Sequence, residues 1–180
     1  MPYVCELRRL AAQPAMAVRR TIHPDRASAA IVEAFAAVGR FLRENGGRPT
    51  GVTYARFLGL DLDQVRVEVG FTVAELLLSA GDVIALELPA GEVVVTRHVG
   101  PYEGLSAAQD ALEAWMSANG RTAAGPAWEV YLNGPPDTTD PAQFDTDVYV
   151  PLTPANAGAT LAARQRAGGP PTRRSIPDPL

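Results

Sequence analysis

The chain has 180 residues, 47% of them hydrophobic and 20% charged, enough to bury one sizeable core at a net charge of −4. All 16 basic residues are arginine, which excludes Schiff-base chemistry and a phosphate-loop lysine. Residues 1–152 carry 12 arginines against 19 acidic residues, a balance of −7, so this body is a poor nucleic-acid surface and a fair attractor of cations. The first predicted element is an extended stretch over residues 3–22, interrupted at Pro14, which can donate no ladder hydrogen bond. A helix follows over about residues 26–44, opened near Asp25 or Ser28, with Ile31, Phe35, Val38 and Leu42 at helical spacing and Asn45-Gly46-Gly47 as its stop. Strands are predicted near residues 52–58 and 65–73, the second with Val65, Val67, Val69, Phe71 and Val73 on one face.

The same order then returns. Residues 92–99 read as a strand, and Ser106 with Gln109 suggests a capping box for a helix carrying Leu105, Ala108, Leu112, Trp115 and Met116. Asn119-Gly120 ends it, and strands near 128–132 and 144–152 follow, joined by a Gly134-Pro135-Pro136 loop. Residues 153–180 are rich in Ala, Gly, Pro and Arg with no apolar period, and read as a flexible tail.

This return is a repeat of about residues 3–75 by residues 88–152. His23-Pro24 aligns with Gly100-Pro101, Asn45-Gly46 with Asn119-Gly120, Gly51 with Gly125, and residues 68–73 with 147–152, the offset drifting only from 77 to 74 to 79. Two units are too few for a solenoid, so residues 1–152 are expected to form one pseudo-symmetric α+β domain with a cleft between its halves. Each unit reads as one strand-helix-strand-strand module.

Parity along the last two strands nominates the cleft residues. Trp128, Val130 and Leu132 with Val148, Val150 and Leu152 form apolar rows suited to the helix-packed face. That leaves Glu129, Tyr131, Asp147 and Tyr149 opposite, matched in the first unit by Ala55, Phe57, Glu68 and Gly70. Carboxylates among rings suit a flat cation. The alternative reading is a solvated sheet face bearing ordinary charges.

The run Leu88-Pro89-Ala90-Gly91-Glu92-Val93-Val94-Val95-Thr96-Arg97-His98-Val99-Gly100-Pro101-Tyr102-Glu103-Gly104-Leu105 resembles the GyrI-like family, also called the AraC-type effector-binding or multidrug-binding domain. Trp128-Glu129-Val130-Tyr131-Leu132 and Asp147-Val148-Tyr149-Val150-Pro151-Leu152 share the resemblance, which covers about residues 3–152. It implies an α+β fold of two tandem strand-helix-strand-strand modules forming a concave antiparallel sheet, with two helices on one face and a ligand cleft on the other. It also implies that Glu129 pairs with lipophilic cations, that Tyr131, Tyr149 and Tyr102 stack on the ligand, and that Asp147 is a second acidic position. Regulators of this family carry a DNA-reading segment before the domain. Here the first strand begins within a few residues of Met1, so no DNA binding in cis is expected. Stand-alone members resemble drug-sequestering proteins, gyrase inhibitors, and hydrolases that open reactive cyclopropane rings. In the hydrolase reading Glu129 activates a water and Tyr149 supplies the stabilising hydroxyl.

Other candidates carry less. His23 and His98 are the only histidines, so no metal or cofactor is expected, and each is read as capping a strand end or helix start. Tyr54 aligns with Trp128 and reads as core first and cleft second, and Trp115 on its helix stripe reads as core before ligand contact. Cys5 stands alone, no leader-like segment is present, and Glu87 and Glu92 interrupt the longest apolar region. These features fit a soluble cytoplasmic protein, with a monomer favoured and neither membrane nor nucleic acid as partner.

Overall fold

The computed structural model describes residues 2–154 apart from Leu62 and Pro136, so the expected tail, residues 153–180, lies almost wholly outside the described residues. Eight antiparallel strands form one sheet: β1 (Cys5–Leu10), β2 (Gln13–Ile22), β3 (Pro49–Leu60), β4 (Val65–Val73), β5 (Ile84–Leu88), β6 (Gly91–Val99), β7 (Trp128–Asn133) and β8 (Asp145–Pro151). Helix α1 (Ala27–Glu44) joins β2 to β3, and α2 (Leu105–Ala118) joins β6 to β7. The strand order is β1-β6-β8-β7-β3-β4-β2-β5. The two halves are thus β2-α1-β3-β4 and β6-α2-β7-β8, as the repeat predicts.

The extended stretch before α1 divides at Ala11-Ala12 into strands near opposite ends of the sheet. On β1, Leu10 pairs with Gly91; on β2, Gln13 pairs with Leu88. Two residues are skipped on each side, Ala11-Ala12 and Pro89-Ala90, and the ladder resumes in the same count. Strands only two residues apart in sequence can stand that far apart in the order only if the sheet curls until its ends meet. β5, absent from the sequence expectation, is the partner that makes this ladder. Pro14 lies inside β2, opposite Glu87, just before the β4 ladder begins at Ala15.

Both helices lie on one face. Val38 and Leu42 of α1 pack on Val18, Val67 and Val69, while Leu105, Ala108 and Leu112 of α2 pack on Val94, Val148 and Val150. The helices end at Asn45-Gly46 and Asn119-Gly120, where Gly46 and Gly120 take φ of 69° and 60°. Their starts differ from expectation. Gly104 precedes α2 and no side chain caps it, so Ser106 is an ordinary first-turn residue. Before α1, the 3-10 turn Pro24–Arg26 is capped by His23, whose Nδ1 accepts from the Asp25 N–H at 3.4 Å. Among the described residues no helix is long and apolar enough to cross a membrane.

The curl closes the other face over a second core of Ala15, Ala17, Tyr54, Leu88, Trp128 and Val130. Two arginine–carboxylate pairs sit on this reverse face at repeat-related positions. Arg19 opposes Glu68 across β2 and β4, and Arg97 opposes Asp147 across β6 and β8. Glu68 is fully buried and accepts from Arg19 at 2.9 Å, from Arg56 at 3.3 Å and from the Tyr54 hydroxyl at 3.4 Å. Asp147 accepts from Arg97 at 2.8 Å and from the Tyr149 hydroxyl at 3.1 Å.

Removing Glu68 leaves Arg56 and Tyr54 unpaired in the reverse-face core. Glu68→Ala is expected to cost about 2–3 kcal/mol, discounted for the solvent around Arg19, whereas Arg19→Ala costs below about 1 kcal/mol. Urea unfolding measures both. Equal costs for the two variants would show that Glu68 is not held as described.

Candidate functional site

Directly opposed residues on antiparallel strands share a face, so the pairing register sorts the candidate residues without ambiguity. One row crosses the helix-bearing face as Thr96, Val148, Glu129, Ala55, Val69 and Val18. The next runs His98, Thr146, Tyr131, Thr53, Phe71 and Met16. Val148 lies under α2 and Val69 under α1, which puts Glu129 and Ala55 at the seam between the helices.

This corrects the parity reading. Glu129, Tyr131, Ala55 and Phe57 face the helices, while Asp147, Tyr149, Glu68 and Gly70 face the reverse side with Trp128 and Val130. Trp128 opposes Tyr149, and the two rings stack at 5.5 Å with a 5° interplanar angle. The physical reason is that the curled sheet buries both faces, so an apolar row does not identify the helix side. One expected cleft therefore becomes two separate surfaces. Tyr149 donates to Asp147 and lies across the sheet from Glu129, so the two cannot act on one substrate.

Glu129 is 5% exposed and accepts a hydrogen bond from the Tyr131 hydroxyl at 2.7 Å. Among the described residues it is the one buried carboxylate with no arginine partner, since Glu68 and Asp147 each have at least two. Burial pushes its carboxyl above the usual carboxylate range, and the Tyr131 bond and the nearby His98 pull it partly back. Burial and the Glu129 charge push the Tyr131 phenol up in turn. Tyr102 is raised by burial first and by Glu129 second.

A connected set of rings adjoins the carboxylate through Tyr131. Phe71 meets Phe35 edge-on at 5.6 Å, Phe35 meets Tyr131 at 5.7 Å, Tyr131 meets Tyr102 at 5.6 Å, and Tyr102 stacks on Phe144 at 4.9 Å. The set ties α1, β4, β7 and the 3-10 turn Tyr102–Gly104 into one aromatic strip. Phe57, which the repeat aligns with Tyr131, packs on the same face against the α1 cluster. Phe35, Phe71 and Phe144 were not among the expected site residues. Phe71 was already placed on the correct face by its alternation, and Phe35 lay on the α1 stripe, so their type and face were the available signal. Thr146 is fully buried between His98 and Tyr131, and its hydroxyl has no partner.

A groove of about 710 Å³ opens beside β1 and β6, and an apolar hollow of about 130 Å³ lies by Trp128, Val130 and Tyr149 on the reverse face. Glu129 lines neither. It is a buried carboxylate bonded to the phenol of Tyr131. Among the described residues no group of three or more His, Cys, Asp or Glu side chains could hold a metal ion.

A family model described as the GyrI-like small molecule binding domain matches residues 4–153. No curated protein matches the chain. Among solved structures, the C-terminal domain of EcmrR is similar at 23% identity and a TM-score of 0.77, covering 85% of this chain and 99% of that one. EcmrR in its DNA complex aligns at 20% identity and a TM-score of 0.76 over 83% of this chain. The chain spans only 57% of that longer relative. SAV2435 bound to tetraphenylphosphonium aligns at 13% identity and a TM-score of 0.59, covering 87% and 96% of the two chains.

The raised Glu129 carboxyl gives a pH test. Folding disfavours its charged form, so the cost is absent below the ordinary carboxylate range, develops as pH rises from there through the raised value, and is constant above it. The stability of Glu129→Gln relative to the parent is therefore expected to improve as pH rises from about 4 and then to level off. Chemical unfolding at several pH values measures this. A difference that stays flat, or shifts toward the parent, would mean that Glu129 is not a desolvated charge.

Proposed function

The chain belongs to the family of GyrI-like small-molecule-binding domains, and we propose that it captures lipophilic aromatic cations at the seam between α1 and α2. The observation that carries this is Glu129, a buried carboxylate free of arginine under a strip of aromatic rings. An ion that replaces the Tyr131 hydroxyl as its counterpart regains Coulomb energy in a dry site, where the interaction is screened far less than in water. Tyr131, Tyr102 and Phe57, with Phe35 and Phe71, offer ring faces to a flat or multi-ring cation. The likeness to SAV2435, whose structure holds tetraphenylphosphonium, supports a ligand of this kind. Asp147 and Glu68 do not belong to this seam, because their arginines already neutralise them on the reverse face.

A hydrolytic reading has one observation in its favour. A carboxyl with raised proton affinity beside a phenol can take a proton from water and steady a departing oxygen. Tyr131 would then fill the role expected of Tyr149.

One pair of ions separates these readings from neither. Tetraphenylphosphonium is expected to bind in the micromolar range, about −8 kcal/mol, and the isosteric anion tetraphenylborate at least about tenfold more weakly. Glu129→Gln should weaken the cation by about tenfold to a hundredfold and leave a neutral triphenyl compound nearly unchanged. Cation affinity should also fall as pH drops through the raised range of the Glu129 carboxyl, because only the charged form pairs. Titration calorimetry reads all three. Equal binding of the two ions sinks the cation reading. Loss of turnover on an electrophilic ring substrate, with binding kept in the Gln variant, would favour the hydrolase.

A further inference from the structure

His98 is the last residue but one of β6, just before the turn that carries Tyr102. Its ring is buried and held at both nitrogens. Nε2 lies 2.9 Å from the Pro101 carbonyl, which can only accept, so Nε2 bears the proton. In the neutral ring Nδ1 then accepts from the Tyr3 hydroxyl at 2.8 Å. The turn closes tightly on the imidazole. Gly100 takes φ of 133°, and a Cβ built on Gly104 would stand 2.7 Å from His98 Cε1. Gly104 has φ of −86°, which any residue adopts, so it is the ring and not the backbone that demands glycine there. Between the two glycines, Tyr102 is set against Tyr131 and Phe144 above Glu129.

We propose that His98 is a positioning residue for ligand capture: it is the post around which residues 99–104 wind, and its bond to the Pro101 carbonyl sets Tyr102 in place over the Glu129 site. This rests on the cation reading only for its ligand-bound test. A core histidine that merely fills space would serve the fold equally well through either nitrogen. A positioning histidine works through the Nε2 bond and acts on the ligand through Tyr102.

The experiment compares His98→Gln with His98→Asn. The Gln amide reaches the Nε2 position and can still donate to Pro101, whereas the Asn amide reaches only the Nδ1 position near Tyr3. Both lose the ring against Gly104, so similar losses of thermal stability are expected. Tetraphenylphosphonium affinity should stay within about threefold of the parent in His98→Gln and fall by about tenfold or more in His98→Asn. In a Tyr102→Ala background that gap should vanish, because the effect passes through the absent ring. Without ligand, the NMR shift that the Tyr102 ring takes from Phe144 should persist in His98→Gln and be lost in His98→Asn. Should His98→Asn not fold, Gly104→Ala carries the same test by pushing the imidazole from its seat. Equal affinities for the Gln and Asn variants, or a gap that survives Tyr102→Ala, would overturn the proposal. If the parent binds no cation while the ring shifts behave as stated, the cation reading fails and the positioning role stands. If the Tyr102 shift in His98→Asn, or in Gly104→Ala where that stands in, matches the parent, the positioning role falls whatever the ligand does.

Discussion

The antiparallel ladder that runs from β1 into β2 on one chain segment, and from β5 into β6 on the other, governs the rest of the molecule. Because Leu10 and Gln13 belong to strands near opposite ends of the order, the sheet must curl, and curling gives it two buried faces instead of one. A flat sheet with helices on one side would leave its reverse solvated and open for ligands. This one closes the reverse around Tyr54 and Trp128, and ties it with Arg19–Glu68 and Arg97–Asp147 at repeat-related positions. Much of the reverse face is thereby spent on structure, and the site proposed for binding lies at the seam between the helices.

The pseudo-twofold relation also explains why the seam holds one carboxylate. Ala55 and Glu129 oppose each other directly and are counterparts under the 74-residue offset of the repeat. A glutamate at both positions would set two buried carboxylates about 5 Å apart at their Cβ atoms, and they could not both ionise without a strong shift. Symmetry has to break at the axis for a charge to sit there. The small Ala55 supplies room, while the next aligned pair, Phe57 and Tyr131, differs by one hydroxyl. That hydroxyl is the one bonded to Glu129.

Much of this was legible beforehand. The repeat, both helices with their apolar stripes, the Asn-Gly stops and the strands after each helix follow from periodicity and turn chemistry, and the structure places them within a few residues. What could not be read was which face of β7 meets the helices. Trp128-Glu129-Val130-Tyr131-Leu132 alternates cleanly, yet alternation yields two faces and does not say which is which. The usual tie-breaker, hydrophobicity, fails when both faces are buried. The same blindness hid β5: Ile84-Ala85-Leu86-Glu87-Leu88 is short, and its role depends on a partner seventy residues earlier. The arginine partners of Glu68 and Asp147 were invisible for the same reason, since cross-strand pairs are set by register and not by spacing along one segment.

The seam is also poised energetically in a way the reverse-face carboxylates are not. A carboxylate offers about four acceptor sites. Those of Glu68 and Asp147 are taken up by guanidinium and phenol groups, the strongest combination that side chains provide. Glu129 has one phenol and, among the described residues, no guanidinium. In the proposed capture, a cation would supply the charged partner that Glu129 lacks. Aromatic rings suit that proposed capture, because their faces attract a cation. A residue that fixes where one of those rings stands, as His98 does for Tyr102, therefore acts on affinity without touching the ligand.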